Sequence, residues 1–255
     1  MDCAESFGGL GAPRLEKGRY IARSAGGDGD VEAALALRAR GFRSGASDRD
    51  AFDGRCCHVL IEDRVSGKLV CTFRLLPLRA GAEIGQSYSA QYYDLAALGG
   101  FDAPMVELGR FCIAPEARDA DILRVAWGAM TRAVDAGAVR FLFGCSSFAG
   151  VEPGPYAETF RLLGERHLAP KRWLPRVKAP DVVRFARRLA APAALDLRRA
   201  VRALPPLLRA YLAMGGWVSD HAVVDRDLGT LHVFTGLEIS AIPSARARTL
   251  RMVAG

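Results

Sequence analysis

The sequence predicts an α/β fold in which helices cover a mixed β-sheet. Apolar, strand-like runs crowd its first half, and helical patterns alternate with strands in its middle. The composition is that of a globular chain, with 50% hydrophobic and 25% charged residues. At 255 residues a single core is expected, burying roughly three quarters of the unfolded surface. We therefore read one domain over 19–255, with a helical insertion at 180–215, behind a flexible, Gly-rich N-terminal arm at 1–18.

Residues 18–24 read as a first strand, followed by a Gly-Gly-Asp-Gly-Asp turn. Asp30 reads as the N-cap of a helix carrying Leu35, Ala39 and Phe42 at helical spacing. A polar loop at 44–55 leads into two runs, 56–63 and 69–77, that pair as a hairpin across Ser66-Gly67. The run 105–113 is a further strand and 121–136 a helix with Ile122, Val125, Ala126 and Ala129 on one face. A strand at 139–148, a short helix at 159–167 and two late strands at 221–225 and 230–237 complete the alternation.

The longest run free of Asp, Glu, Lys and Arg is Phe141 to Val151, far below the ~20 residues of a membrane-crossing helix. The first residues lack an apolar leader, so a cytoplasmic protein is expected. The six cysteines show neither a C-x-x-C pair nor zinc spacing, and no metal is expected. Cys71, Cys112 and Cys145 lie in apolar segments and read as small buried hydrophobes. The net charge of +7 points to an acidic partner, whether nucleic acid, anionic lipid or a carrier protein.

Glu107 sits mid-strand in an apolar setting and is the candidate general base for an amine attacking a thioester. Simple alternation puts Glu107 and Arg110 on opposite faces unless a bulge intervenes. Arg74, between Phe73 and Leu75, needs an acceptor, and Glu107 or Asp53 can supply one. Asp48, Asp50 and Asp53 cluster in a loop of a kind usually exposed. Cys57 and His58 are neighbours on a strand, where side chains diverge, which argues against a nucleophilic dyad. Ser146 and Ser147 lie toward the end of a strand, where backbone N–H groups often meet a ligand. Neither G-x-S-x-G nor a P-loop occurs.

Several pieces match one family together. They are L-x-x-R-x-x-x-F at 35–42, D-x-x-D at 50–53, C-x-H-V at 56–59 and F-R-L-L-P at 73–77. Further along come E-L-G-R-F-C-I at 107–113, F-G-C-S-S-F-x-G at 143–150, L-P-P-L-L-R-A-Y-L-x-M-G at 204–215 and A-V-V-D at 222–225. The chain thereby resembles the ornithine-lipid N-acyltransferases, a hemolysin-like branch of the GNAT superfamily, and more distantly the acyl-homoserine-lactone synthases.

The resemblance implies a GNAT-like twisted mixed β-sheet flanked by helices and no covalent acyl-enzyme. It makes Glu107 the base, with Arg74 and Arg110 orienting the site or holding the amino-acid carboxylate. Asp50, Asp53, Arg38 and Phe42 fall to substrate binding, with Ser146 and Ser147. The implied reaction moves a 3-hydroxyacyl group from the phosphopantetheine of acyl carrier protein to the α-amine of an amino acid, ornithine first, with no bound cofactor. Coenzyme A-dependent members carry a glycine-rich phosphate loop after this strand. Here the segment is Arg118-Asp119-Ala120-Asp121-Ile122, without either glycine, which favours the carrier protein.

Seven arginines fall between Arg184 and Arg209, broken by prolines into separate helices. Arg184, Arg187, Arg188, Arg198, Arg199 and Arg202 then contact either the acidic carrier protein or an anionic membrane surface. Acylation of glutamine or another amino acid, lactone synthesis, and a non-catalytic basic binding module stand as the alternatives. Phe185 is the one aromatic among these arginines, which argues against nucleic acid.

Overall fold

The computed structural model describes residues 14–186 and 194–255. The strands are β1 (Leu15–Lys17), β2 (Tyr20–Ser24), β3 (Cys57–Asp63), β4 (Leu69–Leu78), β5 (Tyr93–Asp94) and β6 (Met105–Ile113). They continue with β7 (Phe141–Ala149), β8 (Arg176–Val177), β9 (Val182–Val183), β10 (Trp217–Asp225) and β11 (Thr230–Glu238). The helices are α1 (Asp28–Phe42), α2 (Ala120–Ala136), α3 (Ala157–Arg166), α4 (Leu197–Arg202), α5 (Pro206–Ala213) and α6 (Ser244–Ala254). The α/β class, a sheet flanked by helices, is the one expected. None of the described helices is long and apolar enough to cross a membrane.

The chain divides by its contacts into two compact units. The first takes the described residues up to Leu78 together with Pro104–Arg140 and Pro243–Gly255. Its strands run β1-β2-β3-β4-β6, each antiparallel to its neighbour. Helix α1 packs on β3, β4 and β6, while α2 packs on β1 to β4 and is itself covered by α6. The second unit takes Arg79–Ala103 and the described part of Phe141–Ile242. It builds an antiparallel ladder β7-β11-β10-β9 over a core of Phe148, Phe160, Leu163, Leu208, Val218 and Val233.

Two details differ from the sequence reading. Leu15–Lys17, inside the expected flexible arm, pairs with Tyr20–Ala22, because Leu15 is apolar and is buried. Residues 1–13 of that arm lie outside the described residues. Helix α1 begins at Asp28, so Asp30 is not its N-cap. The Asp30 carboxylate instead accepts from the Gly26 N–H at 2.7 Å and pairs with Arg23 at 2.6 Å.

Helix α1 approaches the sheet closely at Gly41, where an added Cβ would fall well inside contact distance of Cys112 Sγ. That approach brings Arg38, one turn back on the same helix, against the 48–53 loop. We predict that Gly41→Ala lowers unfolding free energy by about 1–3 kcal/mol through overpacking. Cys112→Ala in the same chain should recover at least half. Denaturant unfolding of the double-mutant cycle measures the coupling, and strict additivity would refute the contact.

Candidate active site

The strand E-L-G-R-F holds its charged residues on one face through a bulge. Thr72 opposes Cys112 and Arg74 opposes Gly109, so Phe73 alone faces both Arg110 and Phe111. Arg110 takes up the extra residue with φ 50°, a left-handed backbone that non-glycine residues rarely adopt. Phe111 then stacks on Phe73 with ring centroids 5.6 Å apart, on one side of the sheet. Arg110 turns to the other side, with Arg74 and, two register steps along, Glu107. The opposite-face placement given by simple alternation is thus corrected by one inserted residue. Gly109 leaves the space over which Arg74 lies, since a Cβ there would sit 3.4 Å from Arg74 Nε.

On that face three aspartates and four arginines interlock. Asp48 accepts from Arg38 Nε at 2.7 Å, Arg110 Nε at 3.0 Å and Arg43 Nε at 3.2 Å. Asp53 accepts from Arg38 Nη1 at 2.6 Å and Arg74 Nη1 at 2.7 Å. Asp50 takes both Arg74 amino groups, at 2.6 and 2.8 Å, and Arg110 Nη2 at 3.1 Å. Asp48 and Asp53 are buried, against the expectation of an exposed loop, because four guanidiniums between them replace their water. The Asp50 side chain keeps 23% of its surface exposed, so the lattice reaches solvent there. Phe52 lies under the Arg74 guanidinium, 5.6 Å from centroid to Cζ.

The electrostatics follow from these contacts. Burial by itself would raise the Asp53 pKa, but the Arg38 hydrogen bond, the Asp50 N–H and the charges of Arg38 and Arg74 hold it at about 2. For Asp50 burial likewise works upward, and Arg74 and Arg110 outweigh it to give a lowered pKa. Burial pushes the Cys56 thiol up to about 12; Arg74 opposes this, and Glu107, Asp53 and Asp50 add to it. Cys56 is therefore a neutral thiol, and Glu107 lies close enough to act on it. Burial lowers the His58 pKa, and its Nε2–H donates to the Asp53 carbonyl at 3.0 Å, so His58 braces the loop.

Of the residues picked from the sequence, Arg38, Asp50, Asp53, Arg74 and Arg110 meet in this lattice, and Glu107 shares their sheet face at 4% exposure. Phe42 is placed in an apolar cluster with Leu37, Cys112 and Ala114, which is a packing role. Ser146 and Ser147 lie on β7 of the second unit with alternating burial; Ser146 accepts from Thr235 Oγ1 at 2.9 Å and Ser147 is exposed. Arg184, Arg198, Arg199 and Arg202 are exposed, and Arg187 and Arg188 lie outside the described residues. Sequence reasoning missed Asp48, Arg43 and Phe52 as members of the site. The signal for Asp48 was available: guanidiniums at 38, 74 and 110 in apolar elements demand a matching number of carboxylates, and the 48–53 loop is rich in them.

Two predictions follow from the lattice. Asp48→Ala leaves several buried guanidiniums without their shared acceptor and should cost about 3–5 kcal/mol, clearly more than Asp50→Ala at the exposed end; chemical denaturation of both variants ranks them. The depressed Asp53 pKa contributes stability that is fully present above its unfolded value near 4 and is lost as pH falls through about 2. Melting temperatures should therefore fall steeply below about pH 4, and Asp53→Asn, though less stable at neutral pH, should show a shallower fall.

Comparison with known proteins places the chain in a family. Residues 35–128, which contain the whole lattice, match the model of the acetyltransferase (GNAT) domain. An L-ornithine N(alpha)-acyltransferase of Rhodobacter capsulatus is 33% identical over 201 residues, covering 76% of both chains. One from Rhizobium meliloti is 31% identical over 246 residues, covering 87% of this chain and 80% of its own. Among solved structures, an N-acyl amino acid synthase from uncultured soil microbes is similar at 10% identity and a TM-score of 0.48, covering 92% of this chain and 97% of that one. With L-ornithine N(alpha)-acyltransferases 33% and 31% identical along most of its length, the chain belongs to the L-ornithine N(alpha)-acyltransferase family of GNAT-type acyltransferases.

Proposed function

We propose that the enzyme acylates the α-amine of L-ornithine with an acyl group, 3-hydroxylated in the first instance, delivered by acyl carrier protein. The observation that carries this reading is the convergence of Glu107, Arg74 and Arg110 on one sheet face through the bulge at Arg110. The acceptor is taken from the curated relatives, which are L-ornithine acyltransferases.

Glu107 removes a proton from the α-ammonium, and the neutral amine attacks the thioester carbonyl. The C–N bond forms, the C–S bond breaks and the attacking nitrogen sheds a second proton; one of the two protons leaves on the phosphopantetheine thiol by way of Glu107, and the other passes to solvent. Arg110 and Arg74, both bonded to the partly exposed Asp50, orient the site or hold the amino-acid carboxylate, and Asp50 holds a substrate ammonium. The neutral Cys56 thiol supports direct transfer without an acyl-enzyme.

The donor reading gains support from the start of α2. In coenzyme A-dependent relatives a glycine-rich turn offers this helix N-terminus to a pyrophosphate. Here Asp119 accepts from the Asp121 N–H at 2.9 Å and from Tyr20 Oη at 2.8 Å. The chain's own carboxylate occupies the anion position and repels a second anion, whereas a carrier-protein thioester brings no adenosine pyrophosphate there.

The test is a thiol-release assay with 3-hydroxyacyl carrier protein and a panel of amino acids. Release above background is expected with L-ornithine, and release with no amino acid would sink the reading. Replacing the carrier by acyl-coenzyme A should lower kcat/KM at least tenfold. Glu107→Gln should lower kcat by roughly 10²–10⁴-fold with little change in KM; unchanged turnover removes Glu107 from the mechanism.

A further inference from the structure

Helix α4 is turned inside out relative to an ordinary surface helix. Its inward anchor is small: Ala200 is fully buried, and its carbonyl accepts from Thr159 Oγ1 at 2.8 Å. Leu204, just beyond the helix, is buried in the same core cluster. The outward residues are Leu197 and Val201, each 41% exposed and spaced i,i+4. Around them stand the exposed Arg198, Arg199 and Arg202.

Among the described residues, none of these three guanidiniums pairs with a carboxylate. Two acids beside the helix bond to backbone: Asp196 caps the Arg199 N–H at 3.0 Å, and Glu158 accepts from the Asp196 N–H at 3.0 Å. Like charges at i,i+3 and i,i+4 destabilise a short helix, and Leu197 and Val201 leave apolar surface facing solvent. Some exposed arginines elsewhere, such as Arg14, Arg40, Arg49 and Arg251, do meet an acid.

We propose that α4 is a docking surface for an anionic lipid membrane. Arginines flanking a pair of exposed aliphatic residues match the two layers of a lipid interface, phosphate outside and acyl chain beneath. Charge complementarity alone would also suit an acidic protein. The aliphatic pair standing outward between the arginines favours lipid, because it reaches the acyl layer while the guanidiniums remain at the phosphates. The enzyme touches the bilayer there without spanning it.

The experiment is co-sedimentation of the full chain with vesicles of phosphatidylcholine alone and of phosphatidylcholine with phosphatidylglycerol. Binding is expected on the anionic vesicles only, weakening with salt. Arg198→Gln/Arg199→Gln/Arg202→Gln should weaken it by roughly two orders of magnitude, and Leu197→Ser/Val201→Ser should weaken it at unchanged net charge. Both variants alter exposed side chains, and thermal melts confirm their fold. Equal binding to both vesicle types, or variants that bind like the parent, overturns the proposal. So does a triple variant that keeps vesicle binding but shows a raised KM for the acyl carrier protein, which would assign the surface to the carrier instead. Vesicle binding is read without turnover, so it stands or falls separately from the donor and acceptor assignments.

Discussion

The burial of the Asp48 carboxylate among guanidiniums from Arg38, Arg43 and Arg110 is the interaction on which the site depends. A carboxylate taken out of water is tolerated only when its neighbours replace the lost hydrogen bonds with good geometry. Those neighbours come from α1, from the loop after it and from β6, so none of the three can shift without exposing a buried charge. Asp53 ties the same helix to β4 through Arg38 and Arg74. The lattice is therefore a weak source of net stability and a strong source of uniqueness. It allows one arrangement of helix, loop and strands and makes others expensive.

That rigidity bears directly on the chemistry. In the proposed reaction the guanidiniums of Arg74 and Arg110 are already fixed by carboxylates, so they would not need to reorganise when a substrate arrives. Asp50, with Arg74 and Arg110 both on it, marks where fixed charge gives way to solvent. Meanwhile burial pushes the Cys56 thiol up to about 12 against the pull of Arg74, and the carboxylates of Glu107, Asp53 and Asp50 add to the rise, so the thiol stays neutral. The same economy appears at α2, whose N-terminus is closed by Asp119.

Much of the fold was legible in the sequence because it rests on local periodicity. The hairpin of β3 and β4, strand β6 with the bounds read for it, and helix α2 follow from apolar spacing and turn residues. The short strand β1 was not legible: three residues carry no periodicity, and Leu15 finds its place only through its β2 partner. Helix α6 escaped for a related reason, since its arginine-rich sequence is held mainly by packing on α2. At the site, the arginines and two of the aspartates stood out as charges inside apolar runs or motifs. The bulge did not, because an inserted residue with a left-handed backbone leaves no mark when that residue is arginine rather than glycine. Asp48 was hidden by the general rule that polar loops are wet, which fails where several guanidiniums converge.

The contact of Gly41 with Cys112 also makes the protein its own reporter of breathing. The Cys112 thiol is buried beneath the end of α1, and that burial pushes its pKa up to about 11. An alkylating reagent can reach it only in molecules where the helix has lifted, so its labelling rate counts openings of the element that carries Arg38. The half-buried Cys145 of the second unit supplies a reference for simple accessibility. Two native thiols thus provide a clock for the movement of the wall behind the site, without any introduced probe.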